Sequence, residues 1–181
     1  HFPDVTLVVM LDIDGALFSV DYRAAEHMAQ LLEQVAGRAG RASKPGTVLI
    51  QTQYPQHPLL HQLVNQGYTE FAKTGLQERQ WAKLPPYSFQ ALIRAEANTP
   101  YLPEQFLRSI SQLSLPCNLA GPMPAAMEKK AGKFRFHLLV QADSRKVLHQ
   151  GILTILSAVE ENDLNTKVRW SIDVDPIDLS W

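Results

Sequence analysis

Between positions 34 and 41 the chain reads Gln34-Val35-Ala36-Gly37-Arg38-Ala39-Gly40-Arg41. Two arginines stand three residues apart, each preceded by a glycine. A guanidinium stays protonated at any physiological pH and offers a flat fork of donors. Such a pair suits the negative charge that builds on a phosphoryl group in transfer. Gly37 and Gly40 let the backbone turn tightly, so that Arg38 and Arg41 leave one helix end towards the same anion. Read bare, the stretch is also compatible with a solvated Gly/Arg-rich turn.

Three further groups of residues could do chemistry. Asp12-Ile13-Asp14-Gly15 ends an apolar run and resembles the first motif of haloacid-dehalogenase-type phosphatases, in which one aspartate attacks phosphorus and the next shuttles a proton. Ala16 stands where those enzymes carry threonine or valine, and no downstream lysine and acidic pair is clear. Arg94, Lys133, Arg135 and His137, with Lys129 and Lys130 in the preceding loop, form a candidate phosphate-contacting patch on a sheet face. The alternative there is a solvated basic face. Phe134 and Phe136 fall on the opposite, core face, so bases would lack a stacking platform. Asp143-Ser144-Arg145-Lys146 opens a helix whose free N–H groups and dipole sit beside two cations. Arg145 and His149, one turn apart, could clamp a carboxylate. No metal site is expected in this chain, because His57, His61 and His149 are dispersed and Cys117 is the only cysteine.

The elements that must position these residues follow from periodicity. Val5–Ile13 is a nearly unbroken apolar run that fits a strand buried on both faces, as in parallel sheets. Asp14-Gly15 ends it. Helical spacing runs from Asp21, a candidate N-cap, through Ala25, Met28, Leu32 and Val35. Pro45-Gly46 turns into a strand over Thr47–Thr52. His57–Ala82 reads as two helical stretches broken near Gly67, and Leu84-Pro85-Pro86-Tyr87 as a rigid connector. After it come a strand at Ser88–Ala95, a helix at Pro103–Leu113, a short strand at Leu115–Ala120, a strand at Lys133–Gln141, a helix capped by Asp143 with the stripe Leu148, Ile152, Ile155 and Val159, and a strand at Lys167–Val174. The order βαββαβ predicts a ferredoxin-like plan with both helices on one sheet face. In that plan Arg94 should lie close to Arg135. Trp81 and Trp170 fall at core positions, and Cys117 reads as a small buried hydrophobe.

Composition sets the outer bounds. With 45% hydrophobic and 19% charged residues, the 181-residue chain is an ordinary globular protein and not a disordered one. Its net charge of −1 excludes a bulk polycation, so any nucleic-acid contact must come from a local patch. No apolar run approaches the ~20 residues of a membrane span. A lone cysteine suits an intracellular, cytoplasmic protein. The start, His1-Phe2-Pro3-Asp4-Val5, lacks both a methionine and a signal peptide and runs straight into strand-like sequence, as expected of a fragment.

Gln34–Arg41 matches Q-x-x-G-R-x-G-R at every fixed position and resembles motif VI of superfamily 2 helicases. Its setting, after a helix that follows a buried strand, agrees. Phe2-Pro3-Asp4-Val5-Thr6-Leu7-Val8 looks like the tail of motif V in the primosomal replication-restart helicases. The blocks Asp21-Tyr22-Arg23-Ala24-Ala25-Glu26, Tyr54-Pro55-Gln56-His57-Pro58, Leu84-Pro85-Pro86-Tyr87, Gly121-Pro122-Met123-Pro124-Ala125 and Val168-Arg169-Trp170-Ser171-Ile172-Asp173-Val174-Asp175-Pro176 are similar to that family in the same order. The resemblance covers nearly the whole chain.

It implies the C-terminal part of an ATP-driven 3′-to-5′ DNA helicase that recognises abandoned forks and reloads the replicative machinery. Arg41 is then the arginine finger, Arg38 a second phosphate contact, and Gln34, with Gly37 and Gly40, the coupling element beside the nucleotide. Residues 1–53 would be the end of the second RecA-like lobe, 54–84 a helical connector, and 85–181 a ferredoxin-like domain binding DNA or a partner. The family's Walker motifs and zinc-binding cysteines lie outside this chain. ATP and Mg²⁺ therefore belong to the full-length protein, and the fragment alone should not hydrolyse ATP. Expected partners are forked and single-stranded DNA, primosome proteins and the acidic, hydrophobic-ended tail of the single-stranded DNA-binding protein, the last at Arg145 and His149. The phosphatase, which leaves Gln34–Arg41 unexplained, and a stand-alone interaction module are the alternatives.

Overall fold

A computed structural model describes residues 5–19, 21–37, 39 and 45–179. Arg38, Gly40 and Arg41 lie outside the described residues. The chain divides into two compact units, His1–Glu78 and Arg79–Trp181, each with its own apolar cluster.

In the first unit β1 (Leu7–Met10) pairs in parallel with β2 (Thr47–Ile50), in the register Leu7↔Thr47 to Met10↔Ile50. Both are shorter than the sequence suggests. Asp12, at φ 51°, turns the chain out of β1, and Asp14 starts a single helical turn, α1 (Asp14–Leu17). The expectation that the first strand is buried on both faces is not met. Met10 faces a core of Ile13, Leu17, Met28, Ala29, Leu32, Leu60, Leu63 and Phe71, with Val48 and Ile50 against it. Leu7 and Val9 are about half exposed, as is Leu49. Side chains alternate across a strand, and among the described residues the helices of this unit cover one face only.

Helix α2 (Ala24–Ala36) buries Met28, Ala29 and Leu32 at the predicted helical spacing. Its N-cap is Arg23 and not Asp21. The Asp21 carboxylate instead accepts the Arg23 N–H at 2.9 Å, closing a local turn one step ahead of the helix. Helix α3 (Pro58–Trp81) is interrupted at Gly67, whose φ of 79° only glycine adopts without cost. Leu60, Leu63 and Phe71 anchor it in the first core. Trp81, at its end, is 94% exposed and contributes to neither apolar cluster, against the helical-core expectation. It stands beyond the last turn whose stripe meets a core.

The second unit is a four-stranded antiparallel sheet in the order β4-β5-β3-β6. Its elements are β3 (Phe89–Ala97), α4 (Tyr101–Ser111), β4 (Asn118–Lys130), β5 (Lys133–Ala142), α5 (Arg145–Glu160) and β6 (Arg169–Val174). Alternation sends Ala91, Ile93, Ala95 and Ala97 of β3 and Phe136, Leu138, Val140 and Ala142 of β5 into one core. Phe106, Leu107 and Ile110 of α4 and Leu148, Ile155 and Val159 of α5 close it. Trp170 packs at its edge, 6.0 Å from Phe106 between ring centroids, and donates its indole N–H to Asn165. The N-cap of α5 is Ser144, one residue after the expected Asp143; its Oγ accepts the Val147 N–H at 3.3 Å.

Strand β4 departs most from expectation. Gly121, Pro122 and Pro124 break the alternation, so the sequence shows only a short strand with a loop behind it. The chain stays paired to Lys130 through two register shifts, as an edge strand tolerates. Lys129 and Lys130 thus lie on β4, opposite Phe134 and Lys133, and not in a loop. Gly121 has φ +119°, and a Cβ there would sit 3.0 Å from the His137 carbonyl oxygen. No helix among the described residues is long and apolar enough to cross a membrane.

Candidate nucleic-acid interface

The face of the second sheet opposite its helices carries the predicted basic residues apart from Lys129, which pairs with Phe134 on the core side, and the register places them. Arg94 pairs with His137 on β5 and with Ser171 on β6, while Glu96 pairs with Arg135 and Arg169. Arg94 and Arg135 are therefore diagonal neighbours, and a carboxylate takes the directly opposed place. The long strands hold this register because a one-residue slip would send the core set of alanines, leucines and phenylalanines to the wrong face.

Arg94 is mostly buried. It donates from Nη1 to Asp173 at 2.7 Å and from Nη2 to the Asp178 carbonyl at 3.1 Å. Glu96 stands between Lys133, 3.6 Å from its Oε1, and Arg169, 3.4 Å from the same atom. Arg135 is 6% exposed. A cavity of about 560 Å³ opens over this ground, lined by Arg94, Glu96, Lys130, Lys133, Arg135 and Arg169 together with Ala131, Trp170 and Ser171. Five cations thus line it against one carboxylate. Of the predicted patch, Arg94, Lys130, Lys133 and Arg135 come together here.

Two members do not line that cavity. Lys129 lies 4.7 Å over the Phe134 ring, a cation–π contact on the sheet's edge. His137 sits beside Arg94, where burial first and the guanidinium second push its pKa below the ordinary histidine range. Its Nδ1 is buried without a hydrogen bond. Neutral imidazole is the form such a place favours. Arg169 and Glu96 are not among the residues the sequence points to for this patch, and Trp170 reads there as a core position. The alternation of Val168, Trp170 and Ile172 inward does put Arg169 outward, but that Arg169 shares a hollow with Lys133 depends on the strand order.

The second predicted pair, Arg145 and His149, lines a groove of about 620 Å³ on the same unit with Lys146, Leu148, Gln150, Ile152 and Val174. Two cations stand at its charged end over an apolar floor. Arg145 is already engaged: Nη1 lies 2.7 Å from Asp175 and the guanidinium lies 5.0 Å over the Phe89 ring.

In the first unit Gln34 is exposed near the end of α2 and lines a shallow hollow with His27, Gln30 and Leu31. The motif's cationic and amide donors fit phosphate oxygens, whereas Mg²⁺ is bound by way of carboxylates, of which Gln34–Arg41 has none. Among the described residues no three His, Cys, Asp or Glu converge as a metal cluster. Asp14 accepts the Thr52 hydroxyl on one oxygen and the Gln53 N–H at 2.9 Å on the other. It ties the end of β1 to the chain after β2. Its carboxylate is thus committed to a structural tie, where the phosphatase reading needs a proton shuttle.

The primosomal protein N C-terminal domain family matches residues 80–177. The chain belongs to that family. The replication restart protein PriA of Haemophilus influenzae is 49% identical to it over 99% of this chain and 25% of its own length. The proteins of that name from Rickettsia typhi and from a Synechocystis species are each 32% identical over 97% of the chain, and over 27% and 21% of their own lengths respectively. The chain spans about a quarter of the length of these relatives. The family match takes in all six elements of the second unit, so the cation-lined cavity and the Arg145 groove both lie within the primosomal protein N C-terminal domain. The relatives lend no support to the phosphatase or to a free-standing module.

Proposed function

We propose that this chain is part of an ATP-dependent 3′-to-5′ DNA helicase that recognises stalled replication forks and restarts replication by assembling a primosome. The observation that carries the reading is the 49% identity, over 99% of the chain, to a protein named for replication restart. Gln34–Arg41 agrees with it, since the motif supplies guanidinium groups of the kind that phosphoryl transfer needs.

In this reading residues 1–53 end the second RecA-like lobe, 54–84 connect, and 85–181 form a ferredoxin-like domain. The parallel pairing of β1 and β2 supports the first part. Their open apolar face, with Leu7, Val9 and Leu49, is what the rest of such a lobe would cover. The βαββαβ order and the strand order β4-β5-β3-β6 support the last. Arg41 acts as the arginine finger, Arg38 as a second phosphate contact, and Gln34 with Gly37 and Gly40 couples the nucleotide to movement. ATP and Mg²⁺ are held mainly by segments outside this sequence, as is the family's zinc. The chain alone is inactive. The protein works in the cytoplasm.

The open sheet face takes forked or single-stranded DNA through its cations. The groove at Arg145 and His149 takes the acidic, apolar-ended tail of the single-stranded DNA-binding protein, its charge facing Arg145 and Lys146 and its apolar end Leu148 and Ile152. Other primosome proteins complete the partners. The test is Arg41→Ala in the full-length protein. DNA-stimulated ATP hydrolysis should vanish while fork binding, followed by fluorescence anisotropy, stays within about twofold, because a finger stabilises transition-state charge and not the DNA complex. Near-normal turnover in that variant would remove the finger assignment.

A further inference from the structure

Cations do not gather in one hollow without cost. Arg94, Lys130, Lys133, Arg135 and Arg169 line one hollow, and like charges at such separations repel. Asp173 answers Arg94 from the neighbouring strand. For the rest of the hollow the carboxylate in place is Glu96, itself 16% exposed, which reaches Lys133 and Arg169 with the same oxygen. The register fixes it there, opposite Arg135 on one side and Arg169 on the other. Lys133 and Arg169 keep 39% and 78% of their side chains exposed, so both can turn to another anion. Arg135, almost fully buried, cannot swing out with them.

The geometry points to Glu96 as an internal counter-anion that occupies the place of a DNA phosphodiester in this hollow. This rests on the proposal that the open sheet face takes DNA, and goes beyond it by naming where one phosphate sits and what it displaces. In the free chain Glu96 offsets the repulsion among the cations. A lone phosphate must compete with a carboxylate already in place. A strand presenting several phosphates, also held by Lys130 at the end of β4, turns Lys133 and Arg169 from Glu96 to itself. Glu96 thereby sets a threshold that favours a continuous backbone over small anions.

The test uses the whole chain and a labelled fork and oligo-dT, with anisotropy read across a salt series. Glu96→Gln keeps the shape and removes the charge. It should tighten DNA binding about threefold or more, a scale set by partly exposed ion pairs. It should also steepen the slope of log K against log salt by about one, the share of one further phosphate. The same variant should bind pyrophosphate measurably where the wild type does not. Lys133→Glu with Arg169→Glu should weaken DNA binding at least tenfold, and their thermal midpoints are compared so that loss of fold is not read as loss of contact.

If that double variant folds and binds as tightly as wild type, the open face is not the DNA surface and both readings fall. If it loses binding while Glu96→Gln leaves affinity and salt slope unchanged, the surface stands and the counter-anion role is refuted. No binding by the wild-type chain at low salt would overturn both.

Discussion

Arg145, the first residue of α5 and part of the lining of the second groove, and Asp175, the first residue after β6, meet at 2.7 Å. The ion pair is open to solvent, with side chains 67% and 45% exposed, and Asp175 holds a left-handed backbone at φ 53°. On the proposed reading of this groove, an aspartate of the chain itself stands at the cation offered to the carboxylate of the tail. Asp175→Asn should strengthen binding of a synthetic acidic peptide with a free, apolar C-terminal residue by about two- to fivefold, the range of exposed ion pairs. Arg145→Ala should abolish it. Isothermal titration of both variants decides. Unchanged affinity in Asp175→Asn would show that the pair does not compete, and undiminished affinity in Arg145→Ala would move the peptide elsewhere.

Gly151 of α5 faces Cys117. A Cβ built on Gly151 would stand 2.5 Å from Cys117 Sγ, which also points at the Val147 carbonyl. Alanine is worth about 1 kcal/mol over glycine inside a helix, so the clash and the propensity oppose each other. Gly151→Ala should destabilise the chain in the wild-type background and stabilise it by about 1 kcal/mol when Cys117 is also alanine. Urea unfolding of the two singles and the double gives the coupling. Additive effects would mean the thiol rotates aside freely.

His137 should make stability depend on pH. Burial and Arg94 lower its pKa in the folded chain, so near neutrality and below the unfolded chain binds more protons than the folded one. Its contribution is therefore lost as pH falls through the ordinary histidine pKa, and levels off below the depressed native one. The groups facing it across the sheet are Arg94, with Asp173 behind, and Met123 of β4. His137→Asn should flatten the fall in unfolding free energy between about pH 7.5 and about pH 5.5, roughly one unit either side of the ordinary histidine value. An identical slope in wild type and variant would show that His137 is protonated as easily folded as unfolded.

Asp14 ties the two parallel strands of the first unit through Thr52 and the Gln53 N–H. The Tyr54 N–H in turn donates to Thr52 Oγ1 at 2.9 Å. Asp14→Ala leaves those donors without their acceptor, which costs about 1–3 kcal/mol at a partly buried site. Hydrogen exchange at Gln53 and Tyr54 should speed up in the variant while amides of β3 and β5 are unmoved. Equal protection of Gln53 in both would deny the tie.

The helices and strands were legible because each carries an apolar period of its own. Met28 and Leu32, Ala91 and Ile93, Leu148 and Ile155 each mark a buried face before any partner is known. Gly67 announced its break because no other residue takes its backbone angle freely. Edges were less legible. At β4 the prolines disguised a strand whose pairing comes from β5, and at α5 Asp143 and Ser144 are both good capping types, of which Ser144 is the one whose side chain accepts the Val147 N–H.

By itself the sequence determined the order of the main elements, the motif Gln34–Arg41 and which residues of β3 and β5 face away from the core, because those depend on neighbours along the chain. Only the tertiary structure decided that Glu96 lies between Lys133 and Arg169, that Arg94 is held by Asp173, and that Asp175 occupies Arg145. Those meetings join residues up to 79 positions apart. They are set by strand order and register, where burying the shared apolar face outweighs any local preference of the charged residues it brings together.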